Sequence, residues 1–286
     1  MNCRTDIALE RQELLPETNQ KGIKVKKWDK EKAQVTEIEI LNEYGANTLQ
    51  KPIGKYITVE VPEFSHESEL LDGRLAALTE AIKNLLPQNL EKVLVAGLGN
   101  ENITPDALGP LCARQIFSTR HIKGDVIKDL GLENLKSVSS ISTGVLGQTG
   151  IETAEYISGI VRLIKPDGVI VIDALASRRL SRLGKTVQLT DTGISPGSGV
   201  GNYRKTIDSK TLGVPVVSIG VPTVVDGNTI VYDLTGKENT NINTDNMMVT
   251  PREIDTIITR AAKLLSLSIN CALQPDIKPE MFLALS

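Results

Sequence analysis

The chain is 286 residues long, 40% hydrophobic and 23% charged, with a formal net charge of −3. That length allows one large domain or two small ones, and the mildly acidic balance excludes a general attraction to nucleic acid or anionic membrane. Aromatic residues make up 3%, so the core must be built from Val, Ile, Leu and Ala, and no apolar run reads as long enough to span a bilayer.

The N-terminus, MNCRTDIALERQELL, is polar and lacks the apolar stretch of a secretory signal. An exposed, frayed tail is the ordinary expectation there. Yet RTDIALE carries an acid, a large apolar residue, Ala, any residue and then Glu. Ordinary composition produces that pattern at on the order of 10⁻⁴ per position. Residues 23–62 read as a small β-rich region, because IKVKKW, QVTEIEIL and YITVEV alternate apolar and polar residues. NEYGANTLQKPIGK supplies turns and a short helix between them. Leu71, Leu75, Leu78, Ile82 and Leu85 then mark one face of an amphipathic helix, stopped by Pro87.

KVLVAGLGN is a nearly continuous apolar run, as expected of a strand buried on both faces. TPDALGPLCARQIF follows as a helix, with Thr104 as N-cap and Pro105 at its first position. IETAEYISGIVRLIKP predicts another helix, running into the strand GVIVIDALA; TVQLT and VPVVSIGVP supply two more strands. Residues 227–247 are polar and Asn-rich and read as a surface connection. Thr250 and Glu253 form a capping box around Pro251, opening a helix whose apolar face is Ile254, Ile258, Ala261, Leu265 and Ile269. Buried strands alternating with helices predict an α/β fold: a mostly parallel sheet flanked by helices. Chemistry in such folds sits beyond the carboxyl ends of the strands. Two loops qualify, GLGNENITPD and DALASRR.

The usual catalytic inventories are thin. Cys3, Cys112 and Cys271 are scattered, with no CxxC pair, and read as reduced thiols of a cytosol-like compartment. His66 and His121 are the two histidines, and neither lies in a metal-binding pattern. The loop at Gly97-Leu98-Gly99 lacks the third glycine of a dinucleotide fingerprint and no P-loop follows. SPGSGVGNYRK could cradle an anion with backbone N–H groups, or be a tight loop. Two carboxylates remain at strand ends, Asp106 and Asp173. An acid in a helix's first turn is common, but an Asp directly after VIVI is costly to bury without a purpose. Converging on one crevice, the two cannot easily both ionise. One activates water while the other, still protonated, donates to the carbonyl or leaving amine. Such a pair hydrolyses peptides without histidine.

GLGNENITPDALGP, STGVLGQTGIETAEYISGIV, VIDALASR, DTGISPGSGVGN, GVPVVSIGVPTVVD and MVTPREID, in that order and together with RTDIALE, resemble the germination proteases of spore-forming bacteria. The resemblance spans the chain from its N-terminus to the last helix. It implies a zymogen-derived endopeptidase that degrades small acid-soluble spore proteins during germination. It also implies a phosphorylase/hydrolase-like core similar to that of hydrogenase-maturation proteases, a homotetramer, and residence in the cytoplasm of the spore core. The family's proposed catalytic aspartates fall here on Asp106 and Asp173. The family cleaves after an acid and before a large apolar residue followed by Ala, any residue and Glu. RTDIALE then becomes the activation site, cut between Asp6 and Ile7, with residues 1–6 a propeptide and residues 7–286 a single peptidase domain containing the β-rich 23–62. The 227–247 connection is shorter than in longer family members. Where related maturation proteases place a metal-binding His, this chain has Gly197, so no metal and no other cofactor is expected. The competing readings are a metal-assisted maturation-type peptidase using the same aspartates, and a peptide-binding α/β module that does not cut.

Overall fold

A computed structural model describes residues 5–15, 21–122, 134–197, 204–235 and 247–285. Its strands are β1 (Ile23–Lys30), β2 (Ala33–Ile40), β3 (Gly54–Glu60), β4 (Lys92–Gly97), β5 (Ser137–Ser142), β6 (Gly168–Ser177), β7 (Thr186–Thr190), β8 (Val216–Asp226) and β9 (Met248–Val249). Among the described residues these nine make one sheet, ordered β1-β2-β3-β7-β8-β6-β4-β5, with β9 on β8. The α/β class stands, but the sheet is mixed. Parallel pairing is confined to β5-β4-β6-β8. The remaining pairs are antiparallel. Connection length accounts for the first of these: β1 turns into β2 through Glu31 and Lys32, the latter at φ 55°, and so short a link can only reverse the chain. The β-rich 23–62 region belongs to this same sheet, because β3 pairs with β7 and carries it onward.

The strands' period-two alternation sorts the core into layers. On the first face Val35, Ile57, Val187, Ile219, Ile172 and Val95 pack under the helix Gly73–Leu85 and the helix Ile254–Leu273. On the second face Val171, Val169 and Leu94 of the parallel half pack under the helix Thr153–Ile164. The antiparallel half of that second face, with Ile38, Ile40 and Tyr56, is covered by Leu49 and by Ile7, Ala8 and Leu9. The expected exposed tail is therefore a cover of the core, with Ile7 and Ala8 wholly buried.

Several element boundaries differ from expectation. Leu71 is 42% exposed and lies before its helix, because Asp72 is the N-cap and accepts from Arg74 N. Thr104 caps nothing: Thr104–Asp106 is a single 3₁₀ turn, and the α-helix begins at Leu108. Thr250 donates its hydroxyl to Thr223 O rather than forming a capping box, and Glu253 occupies the N-cap without a side-chain bond. The 227–247 connection opens as a helix, Gly227–Thr235, where Asp226 accepts from Thr229 N. Residues 236–246 of it lie outside the described residues. Ile254–Leu273 is long and apolar enough to cross a bilayer, contrary to the reading of the composition, but 78% of its most apolar stretch is buried inside the protein. Cys112 and Cys271 are buried and free, Cys3 lies outside the described residues, and both histidines are exposed.

Candidate active site

β4 ends at Gly97, opposite Ile172 of β6, while β6 runs on to Ser177. Asp173 is thus not beyond its strand, as expected, but inside it, at the first position past its pairing with β4. Alternation turns its side chain to the second face of the sheet, the face of Val171. The residue is 6% exposed, and its Oδ1 accepts from Ala174 N at 2.9 Å.

Asp106 reaches the same crevice by a different route. Beyond Gly97, Leu98 N donates to Ile172 O, and Gly99 adopts φ 111° to turn the chain. The Asp106 carboxylate then accepts from Asn100 N at 2.7 Å. Two glycines permit this packing. A Cβ on Gly99 would lie 2.0 Å from Asp106 O, and one on Gly109 would lie 2.2 Å from Leu98 O and 2.6 Å from Ile172 O. Gly109→Ala is therefore expected to push the Leu108–Arg114 helix off the ends of β4 and β6. It should cost about 1–3 kcal/mol in a urea melt and lower activity in the remaining folded fraction.

The electrostatics follow from this placement. Burial raises the Asp106 carboxyl above its ordinary value, against the opposing Asn100 N–H. Burial first, and then the negative charges of Asp106 and Asp6, hold Asp173 well above the carboxylate range. Asp173 thus feels the charge of Asp106 and is the better proton holder of the two. A cleft of 440 Å³ opens at Gly99, the residue packed against Asp106, and is lined by Arg114, Ser142, Thr143 and Gln148; Asp106 itself is half-buried.

The N-terminal segment meets this site. Asp6 N donates to Ala176 O at 3.0 Å, and its carboxylate accepts from Ala176 N at 2.9 Å. Lys51 Nζ donates to the Asp6 carbonyl at 2.9 Å. Ala8 N donates to Gln188 Oε1 at 3.0 Å. Glu10 is 1% exposed and accepts from Arg178 N at 2.7 Å and Arg179 N at 3.0 Å, with Arg182 at 3.6 Å and the Thr5 hydroxyl bonded to it. Leu9, at the unrestricted position of the pattern, is also buried. Lys51, Gln188, Arg182 and the amides of Ala176, Arg178 and Arg179 were not singled out from the sequence.

Among the described residues no group of three or more His, Cys, Asp or Glu side chains is arranged to hold a metal ion. Gly197, at φ 74°, offers no side-chain donor, and most of the Gly-rich stretch after it lies outside the described residues.

Residues 4–236 match the family described as Germination protease. The chain belongs to the germination protease family. A germination protease of Caldanaerobacter subterraneus subsp. tengcongensis is 45% identical over 97% of this chain and 96% of its own length. One from Clostridium perfringens is 41% identical over 96% of each. Both support a protease of spore germination, and the Asp106 and Asp173 segments fall inside the matched span. Among solved structures, the hydrogenase maturation protease HycI of Thermococcus kodakarensis is 19% identical, covering 68% of this chain and 98% of its own, with a TM-score of 0.39. At that score the likeness supports no statement about this germination protease.

Proposed function

We propose that this germination protease is a self-processing endopeptidase in which Asp106 and Asp173 act as a carboxylate pair. The observation that carries the reading is their joint placement at the end of β4, with Asp6 docked on Ala176 further along β6 and its charge acting on Asp173. Asp106, nearer solvent and in contact with the cleft at Gly99, is the ionised base that takes a proton from water. Asp173, held protonated, is the acid that donates to the departing nitrogen. Small acid-soluble spore proteins carrying the same acid, apolar residue, Ala, any residue, Glu pattern are the external substrates, within the spore cytoplasm. A homotetramer and a propeptide of residues 1–6 complete the reading.

Support comes from the way the pattern is gripped. The acid at position 6 meets a backbone amide, the apolar residue and Ala fill closed space, and the Glu meets two successive amides. Such fixed donors recognise a carboxylate well when water is excluded. Processing of the full chain tests the assignment. Glu10→Gln should lower the rate of self-cleavage by about 10-fold or more, the equivalent of one charge-assisted hydrogen bond. Equal processing of the two chains would contradict it.

A metal-assisted route makes a different forecast. With Gly197 in place of a third ligand, exhaustive chelation should leave at least half of the activity. Loss of activity on chelation, restored by one equivalent of a divalent ion, would instead favour the metal.

A further inference from the structure

Peptide hydrolysis needs more than a base and an acid. As water adds to the carbonyl, negative charge grows on the carbonyl oxygen, and fixed donors aimed at that oxygen are often the largest contribution to rate. Asp106 and Asp173 are assigned to the water and the leaving nitrogen, which leaves the oxygen to be accounted for. At the Asp6–Ile7 bond it already has a partner, the ammonium of Lys51 at 2.9 Å.

The local structure aims this side chain. The helix Glu43–Leu49 ends at Gln50, which is left-handed at φ 52°, and Lys51 N closes the turn on Ala46 O. Pro52 follows, its carbonyl accepting from Tyr56 Oη at 2.8 Å, so the turn is tied to β3. From there the Lys51 stem runs inward to the docked segment. Burial lowers its ammonium's pKa, while Asp6 raises it, Arg11 lowers it and Glu10 raises it. A partly desolvated cation acts more strongly on a nearby oxygen than one in bulk water.

We propose that Lys51 is a further catalytic residue of the self-cleavage, holding the oxyanion that forms on the Asp6 carbonyl. This rests on the Asp6–Ile7 reading above. In the addition step the water oxygen bonds to the Asp6 carbonyl carbon, its proton passes to Asp106, and the carbonyl electron pair moves to the oxygen facing Lys51. In the second step that pair re-forms the carbonyl, the bond to Ile7 nitrogen breaks, and the Asp173 proton goes to that nitrogen. The products are a new carboxyl at Asp6 and a free amine at Ile7. Lys51 gains and loses no proton.

The test uses the full chain, following loss of residues 1–6 by intact mass for wild type, Lys51→Met, Lys51→Arg and Asp106→Asn. Hydrogen exchange at the Ile7 and Ala8 amides reports docking separately. Lys51→Met should slow cleavage by about 10²-fold with those amides as protected as in wild type. Lys51→Arg should recover most of the rate. A rate within threefold of wild type for Lys51→Met would overturn the proposal, as would protection lost in proportion to rate, which marks a docking role only. If wild type cuts and Asp106→Asn does not while Lys51→Met cuts normally, Lys51 alone is wrong. If wild type leaves the bond intact, or Asp106→Asn cuts it freely, the reading beneath fails and the role of Lys51 falls with it.

Discussion

Asp106→Asn and Asp173→Asn should each lower peptidase activity by about 10³-fold or more in protein that still folds. Asn preserves volume and can still bond the Asn100 and Ala174 amides through its carbonyl oxygen, but it neither takes nor gives a proton. The two variants should then part company in stability. The native carboxyl of Asp173 is raised well above its ordinary value, chiefly by burial and then by Asp106 and Asp6. Between the unfolded value of about 3.9 and the raised native one, the folded state holds a proton that the unfolded chain has released. Stability contributed by this group therefore falls as pH rises through that window. Asp173→Asn removes the group, so its Tm should exceed wild type at pH 8 and converge on it near pH 3. An inactive variant more stable than its parent is what a destabilising catalytic group predicts. Thermal melts at the two pH values check it, and a Tm below wild type at pH 8 would count against a desolvated carboxyl. Activity itself should be bell-shaped, since it needs Asp106 ionised and Asp173 protonated. Both limbs should lie above the ordinary carboxylate range, with the apparent values belonging to the pair.

The second large effect is at Ile7. The side chain is wholly buried against a cluster that includes Ile38, Ile40, Leu49 and Tyr56. Ile7→Asp would have to desolvate a carboxylate there, which costs far more than the roughly 1.5–3 kcal/mol that burying an isoleucine contributes. Self-cleavage of the full chain should fall by more than about 100-fold, a barrier of roughly 2.7 kcal/mol, because the segment no longer docks. The same substitution should lower Tm, since Ile7 also covers the sheet. Ile7→Val keeps the docking and should process at close to the wild-type rate, which separates recognition from folding. A chain produced to begin at native Ile7 should digest an external peptide normally. Undiminished processing of Ile7→Asp would show that the segment is not read where it lies.

How much of this was legible in the residues depends on the range of the interactions. β4 and β6 were readable as strands because both faces are covered, which makes KVLVAG and GVIVIDALA almost continuously apolar. Asp173 was readable as a candidate because it breaks such a run. Thr104 and Thr250 misled, since a hydroxyl before a proline suits a cap but equally suits a cross-strand bond, as Thr250 makes to Thr223. The mixed character of the sheet was hidden in the pairing of β3 with β7, a contact between segments far apart in sequence. RTDIALE was readable as a pattern but not as a docked one. Its partners are the Ala176, Arg178 and Arg179 backbones, which leave no trace in residue identity, and Lys51 and Gln188, which resemble any surface lysine or strand glutamine.

On the proposed reading, this molecule cuts its own Asp6–Ile7 bond with the Asp106–Asp173 pair. Intact mass and N-terminal sequencing of purified full-length protein, incubated at mildly acidic pH over a tenfold range of concentration, test it most directly. The expected result is loss of residues 1–6, a new terminus at Ile7, a rate constant independent of concentration because the segment docks on its own chain, and no loss in Asp173→Asn. Protein that still begins at Met1 while digesting an external peptide would contradict it, as would an Asp173→Asn chain processed at the wild-type rate.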